Sequence, residues 1–341
     1  MMVLVSHGRG YLIPIWEPFN GMKFGGFIGV ELFFTLSGFL IGRIIIEKSV
    51  KNNVKYSWIP SFYFRRWART YPMYILFLLL NTALLLGIRV TEVDNIFPYL
   101  FFTQSLTSPH PVFFGEAWSL AIEEIFYFIT PILYISIYFF IKDSRKSILI
   151  SLLLMIIMPF LYRCYISTQT NLSFNDIRTI SLARLDSIAY GFIYAWILYF
   201  NIHSKNIALL IAKVLSFFLP LLIYISHLPD NIINDNIYCK ILLFNFTSLA
   251  CASLVVCGLN IKLPSVLLLP VKIIARGSYI SYLINLPILY LMHKIIPPQS
   301  SILQGVSLWL MYLISTLLIS CIMHELLEKK ILELRDRISP R

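Results

Sequence analysis

Long Leu/Ile/Phe-rich apolar runs alternate along the chain with short connections that carry Pro, Asn, Asp or Lys/Arg. The runs read as hydrophobic spans near 26–46, 71–88, 117–141, 147–162, 180–200, 207–226, 238–259, 279–296 and 302–323. The stretch 265–275 is too short, and too charged at its end, to count as a further span. The ~10-residue alternating segments of a transmembrane β-barrel are absent, so the fold class is all-α, a polytopic transmembrane helical bundle. The whole chain, 1–341, reads as one membrane-embedded domain with no appended soluble domain, linker or repeat.

Composition agrees with this pattern. The 341 residues are 58% hydrophobic and 13% charged, against about 25% charged in soluble domains. The formal net charge of +11 is not a nucleic-acid signature, because the basic residues cluster in short loops and the C-terminal tail. Lys48, Lys51, Lys55, Arg65, Arg66 and Arg69 fall between the first two full spans, and Lys142, Arg145 and Lys146 two loops later. Lys205, then Lys262, Lys272 and Arg276, then Lys329, Lys330, Arg335, Arg337 and Arg341 continue the alternation. Every second loop is basic, which predicts a cytoplasmic C-terminus.

That orientation puts residues 8–25 outside and demands a helix before them. Only Met1 to about Trp16 is available, broken by Gly8-Arg9-Gly10 and Pro14, and it lacks the basic n-region of a signal peptide. The expectation is about ten spans, the first truncated, with Met1 placed downstream of the true start. The five cysteines are scattered, and His324-Glu325-Leu326-Leu327-Glu328 starts like HExxH but ends in Glu, so no metal site is expected.

The strongest chemical signal lies in Trp118-Ser119-Leu120-Ala121-Ile122-Glu123-Glu124-Ile125-Phe126-Tyr127. A carboxylate in hydrocarbon costs about 2.5–3.5 kcal/mol on insertion scales, so two at the head of a span imply a task. Ser119, Glu123 and Tyr127 share a helical face at i, i+4, i+8, while Glu124 points about a hundred degrees away. Arg184 is the expected ion-pair partner of Glu123, since both lie early in spans entering from the same side. Asp186, two residues from Arg184, is expected to face a different partner.

Several ordered segments resemble the acyltransferase-3 family of membrane acyltransferases. Gly25-Gly26-Phe27-Ile28-Gly29-Val30-Glu31-Leu32-Phe33-Phe34-Thr35-Leu36-Ser37-Gly38-Phe39-Leu40-Ile41 is similar to that family's GxxGVDLFFVLSGFLI helix, with Glu31 where Asp is usual. Phe62 to Pro72 resembles its RxxR element before a Pro, and Trp118 to Tyr127 its SLxxExxFY signature. Ala183 to Gly191 resembles FRLDALLxG, and Ser278 to Pro287 resembles SYxxYLxHxP with Asn285 replacing His. The 325–331 end resembles the terminal (V/I)ExP helix only loosely.

The resemblance implies transfer of an acyl group, acetyl by default, from cytoplasmic acyl-CoA to a hydroxyl of a cell-surface or lipid-linked saccharide. It implies no tightly bound cofactor, membrane lipid and saccharide or glycolipid as partners, no nucleic acid, and location in a bacterial inner membrane. His7 matches the family's first-helix histidine and is the expected general base. The family's Arg or Lys eleven positions earlier would precede Met1. Arg66 and Arg69, with Arg65 beside them, are expected to bind the CoA phosphates. Glu123, with Ser119 and Tyr127, is expected to line the polar path or orient His7, and Arg184, Asp186 and Glu31 to form the polar network around it. A secondary transporter or flippase, or an inactive truncated family member, remains the alternative.

Overall fold

A computed structural model describes residues 1–51, 56–88, 95–200, 205–226, 228, 230–259, 261–296 and 301–339. Among these the architecture is helical throughout. In chain order the helices are α1 (Met2–Gly8), α2 (Lys23–Lys51), α3 (Ile59–Ile88), α4 (Phe97–Leu100), α5 (Ala117–Ile141), α6 (Ser144–Gln169), α7 (Phe174–Thr179) and α8 (Leu185–Phe200). Then follow α9 (Lys205–Phe217), α10 (Leu219–Ser226), α11 (Asp230–Asp235), α12 (Phe244–Gly258), α13 (Ser265–Ile295), α14 (Ile302–Met323) and α15 (Lys329–Ile338). Seven helical stretches among the described residues are long and apolar enough to cross a membrane, and α8 is a shorter apolar helix packed among them. The chain is therefore an integral membrane protein of the polytopic helical kind.

The predicted spans reappear as helices with altered boundaries, although the one at 71–88 lies in α3, which is not among the seven. The 180–200 span begins only at Leu185, after the separate helix α7 and a 3₁₀ turn at Ser181–Ala183. The 207–226 span is broken into α9 and α10 just before Pro220, whose ring and missing N–H favour the first turn of a new helix. The largest departure is α13. The excluded stretch 265–275 is the front of one 31-residue helix, so Lys272 and Arg276 sit on a helix and not in a loop. At 1.5 Å per residue that helix exceeds a hydrocarbon core of about 30 Å, leaving room for its basic front end beyond the apolar layer.

Helix α2 is the axis of the bundle and touches α1, α5, α6, α8 and α12. Its tightest neighbour is α8, and glycine permits the approach. A Cβ at Gly38 would collide with the Ile188 carbonyl, one at Gly191 with the Thr35 carbonyl, and one at Gly42 with the Phe192 ring. Backbone-to-backbone contact of this kind is how helices associate where lipid removes the hydrophobic drive. Near its start, Gly25, Gly26 and Gly29 let α1 lie against α2, with Met2, Val3 and Ser6 filling the space a side chain would need. α1 also touches α13 and α14, which fixes where His7 points.

Candidate active site

His7 stands on the last turn of α1. Its Nδ1 lies 2.5 Å from Asn285 Oδ1 on α13. The Asn285 amide is oriented by its own neighbours: Nδ2 donates to the Tyr282 carbonyl, and Oδ1 also accepts from the Tyr312 hydroxyl at 3.5 Å. A carboxamide oxygen only accepts, so this orientation assigns the proton to His7 Nδ1 and leaves Nε2 as the lone-pair nitrogen. His7 borders a cavity of about 440 Å³ shared with Arg9, Lys23, Glu116, Trp118, Arg178 and Tyr282. Fixing a histidine's tautomer through its second nitrogen is what a general base needs.

Sequence reasoning missed Glu116 and Arg178 in this cavity. Glu116 immediately precedes α5, just outside the span, and makes no side-chain capping bond to it. Its Oε1 accepts the Leu286 backbone N–H at 3.1 Å, while Oε2 has no partner among the described residues. Burial pushes its carboxyl up to about 8. Neither residue carries a signal of its own in the sequence, since each sits in a polar connection where charge is ordinary.

The Ser119–Glu123–Tyr127 stripe forms but serves two neighbourhoods. The Ser119 hydroxyl lies 2.5 Å from the Tyr282 hydroxyl at the edge of the His7 cavity. One and two turns deeper, the Tyr127 hydroxyl donates to Glu123 Oε1 at 2.8 Å and contacts the Ser37 hydroxyl on α2. The Arg66 guanidinium stands 4.1 Å over the Tyr127 ring, and Arg66 and Arg69 are the cations that act on Glu123. Glu123 thus faces the arginines of α3, and the hydrogen bond that orients His7 comes from Asn285. Glu124, left without a role by the sequence, accepts from Thr70 Oγ1 at 2.8 Å.

The expected Glu123–Arg184 pair does not form. Arg184 pairs instead with Glu31 on α2 and donates to Ser187 at 2.7 Å, while Ser248 donates to the other Glu31 oxygen at 2.6 Å. The guanidinium also lies 3.9 Å over the Phe244 ring. Asp186 does take a different partner, Arg163, through a fork of 2.9 and 2.6 Å that Asn245 completes. Arg163 escaped sequence reading because the span was ended at 162, whereas α6 continues to Gln169 and buries it fully. These two knots tie α2, α6, α8 and α12 together, and their members face one another rather than either cavity.

A second cavity, about 460 Å³, opens where α2 ends and α3 begins. Lys48, Arg65, Arg66, Arg69 and Arg335 line it, with no carboxylate among the lining residues. Arg65 is diverted from it: it pairs with Asp336 at 2.8 Å and donates to the Ser339 carbonyl, tying the C-terminal helix to α3. Arg69 makes no ion pair or hydrogen bond among the described residues. Residues 23–30 of α2 line the His7 cavity and 44–48 the arginine cavity, an axial separation of about 20 Å or more at 1.5 Å per residue. Between them a smaller cavity of about 140 Å³ touches Gly29, Phe33, Tyr279 and Tyr282. Tyr279 continues the line by donating to the Thr70 carbonyl at 2.8 Å.

Fold and site together define a membrane-embedded helical bundle with a histidine cavity at one end, a cationic cavity at the other and a polar line between. The acyltransferase-3 family model, an acyltransferase domain, matches residues 1–325, and the chain belongs to that family. It is 33% identical over 174 residues to the Bacillus subtilis protein named "Putative peptidoglycan O-acetyltransferase YrhL", covering 43% of this chain and 27% of that one. It is 32% identical over 124 residues to the peptidoglycan O-acetyltransferase OatA of Listeria monocytogenes, covering 31% of this chain and 19% of the relative. A Staphylococcus aureus protein named "Putative O-acetyltransferase SACOL0978" is 28% identical over 173 residues, 43% of this chain and 28% of its own length. The matched segment thus spans less than a third of each of these relatives, 19–28% of their length. No solved structure matches the chain.

Proposed function

We propose that residues 1–341 act as one membrane domain that transfers an acyl group, acetyl by default, from cytoplasmic acyl-CoA to a hydroxyl of a cell-surface or lipid-linked saccharide. The observation that carries this reading is the His7–Asn285 hydrogen bond at the wall of a polar cavity, set apart from the arginine cavity along one helix. The peptidoglycan named for two of the relatives makes a cell-wall glycan the first acceptor to try. The bacterial inner membrane with a cytoplasmic C-terminus is the setting, because it brings the arginine cavity to the side where acyl-CoA is made.

In this mechanism Arg66 and Arg69 hold the phosphates of the CoA co-substrate, for which the guanidinium fork is suited. Arg65 holds the C-terminal helix beside them. The pantetheine arm follows the polar line past Tyr127 and Glu123 toward Tyr282. The acceptor hydroxyl, in the His7 cavity, gives its proton to Nε2 as its oxygen attacks the thioester carbonyl carbon. The C–O bond forms, the C–S bond breaks, and the imidazolium returns the proton to the departing CoA thiolate. Asn285 holds the tautomer throughout, and an intermediate on the histidine is not required by this balance.

Purified full-length protein in detergent, given labelled acetyl-CoA and a cell-wall glycan fragment, is expected to label the glycan, with H7A abolishing the transfer. Unchanged turnover in H7A would remove the base assignment. A deletion strain whose surface glycans keep their wild-type acylation by mass spectrometry would favour the transporter reading.

A further inference from the structure

The arginines of this bundle fall into two groups. Arg163 is forked to Asp186, Arg184 is paired with Glu31, and Arg65 with Asp336. Arg178, in the His7 cavity, has no ion pair and no hydrogen bond among the described residues, and its Nε is inaccessible without a partner. Its placement is nonetheless firm. α7 starts with a complete capping box, in which Ser173 and Asp176 satisfy each other and the first turn. Phe174 stacks on Phe244 at 4.4 Å, Ile177 is fully buried, and the Arg178 guanidinium lies 5.3 Å from the centre of the Trp118 ring.

The neighbouring carboxylates are already engaged. Asp176 is held within the capping box at 2.7 Å from the Ser173 hydroxyl, and Glu31 is shared by Arg184 and Ser248. Glu116 is the one carboxyl in the cavity wall, and burial keeps it largely protonated at neutral pH. The Arg178 charge is therefore not neutralised by a carboxylate of the cavity wall. A partly desolvated guanidinium without a counter-charge is costly, and the two fully buried arginines, Arg163 and Arg184, are both paired. A neutral sugar would not compensate that cost. Asn234 Oδ1, on α11 across the cavity, also lacks a partner among the described residues; as an acceptor it suits a sugar hydroxyl and not the anion.

We propose that the acceptor is an acidic saccharide, and that Arg178 receives its anionic group while Trp118 offers a flat face to the sugar ring. This rests on the transfer reading above and narrows its acceptor class. The anion is a carboxylate on the sugar or a phosphate of a lipid-diphosphate carrier, both of which a guanidinium takes in bidentate fashion. Arg178 is a specificity residue: it touches the acceptor at a group other than the reacting hydroxyl.

The test is equilibrium binding to purified full-length protein without acyl donor, so that nothing turns over. The probes are a uronic acid disaccharide, its methyl ester and a polyprenyl diphosphate. The wild type is expected to bind one of the two anions at least tenfold tighter than the ester, and which one identifies the source. R178Q is expected to abolish that preference, R178K to restore part of it, and both to keep wild-type affinity for acetyl-CoA. Failure of the wild type to bind either anion tighter than the ester, or a preference that survives R178Q, overturns the proposal. If R178Q fails to fold, the wild type decides through salt: the preference must shrink as ionic strength rises, and a salt-independent preference overturns it. Anion preference without any acyl transfer would instead remove the transferase reading and leave the anion site standing.

Discussion

The two ends of the bundle solve different electrostatic problems with similar residues. At the His7 end, cations, a carboxyl, an amide and aromatic rings are interleaved, and the hydrogen bonds fix directions: Asn285 aims His7, Tyr282 aims Ser119, and the Leu286 N–H holds Glu116. At the α3 end the wall is cationic, and its geometry is loose enough that Arg69 has no partner among the described residues. Mixed polarity with fixed directions suits the placing of one proton, whereas a cluster of guanidinium groups suits the holding of several phosphates. Glu123 and Tyr127 sit between them, bonded to each other and overlain by Arg66. Chemistry and donor binding should therefore be separable by mutation.

The sharpest way to break that division is H7A. Loss of a general base typically costs about 10²–10⁴ in rate, and acetyl-CoA affinity, measured by titration in detergent, should be unchanged. A large loss of affinity in H7A would mean that the two ends are one site. Next comes R184M, which belongs to neither end. It leaves the Glu31 carboxylate buried and unpaired, a cost of roughly 3–5 kcal/mol. Thermal unfolding should fall accordingly, and the double variant E31Q/R184M should recover much of the loss.

At the other end, R66A and R69A are each expected to raise the acetyl-CoA KM about 10- to 100-fold, the worth of one charge-assisted contact of about 1.5–3 kcal/mol, with little change in kcat. R65A should affect KM less and should increase proteolysis of the C-terminal helix, since Arg65 is bonded to Asp336 and Ser339. N285L is expected to lower kcat about tenfold by freeing the His7 tautomer, the range seen when an outer hydrogen-bond partner is lost. N285H, which can still accept from Nδ1, should retain most of the rate.

The smallest effect concerns pH. The folded Glu116 carboxyl is raised to about 8, above its usual value of 4.5, so it stays neutral at low pH and ionises as pH climbs through that value. Ionisation adds a negative charge to the cavity that Arg178 borders. Affinity for an anionic acceptor should fall a few-fold above pH 8, and E116Q, which can keep the Leu286 bond, should lack that limb. A limb that persists in E116Q would assign it to another group.

Much of this was legible beforehand, and the residues show why. The helical stripe at 119, 123 and 127, the basic run at 65–69 and the long apolar spans are set by local periodicity and by what hydrocarbon tolerates. Glycine positions such as Gly38 and Gly191 were visible as motif letters, yet their role as the crossing point of α2 and α8 was not. Helical spacing says which residues share a face but not which helix that face meets. The Glu123–Arg184 expectation failed on that ground, whereas Arg163 lay beyond the predicted end of its span and Arg178 in a connection where charge is ordinary.

By itself, then, the sequence determined a polytopic helical membrane protein, its family and most of its polar side chains of interest, because burial cost and short-range spacing are properties of the chain alone. The tertiary structure decided the pairings: Glu31 with Arg184, Asp186 with Arg163, His7 with Asn285, and Arg178 with none among the described residues. Those depend on how closely two helices can approach and at what depth they cross. Packing between distant segments sets both, and no local pattern encodes them.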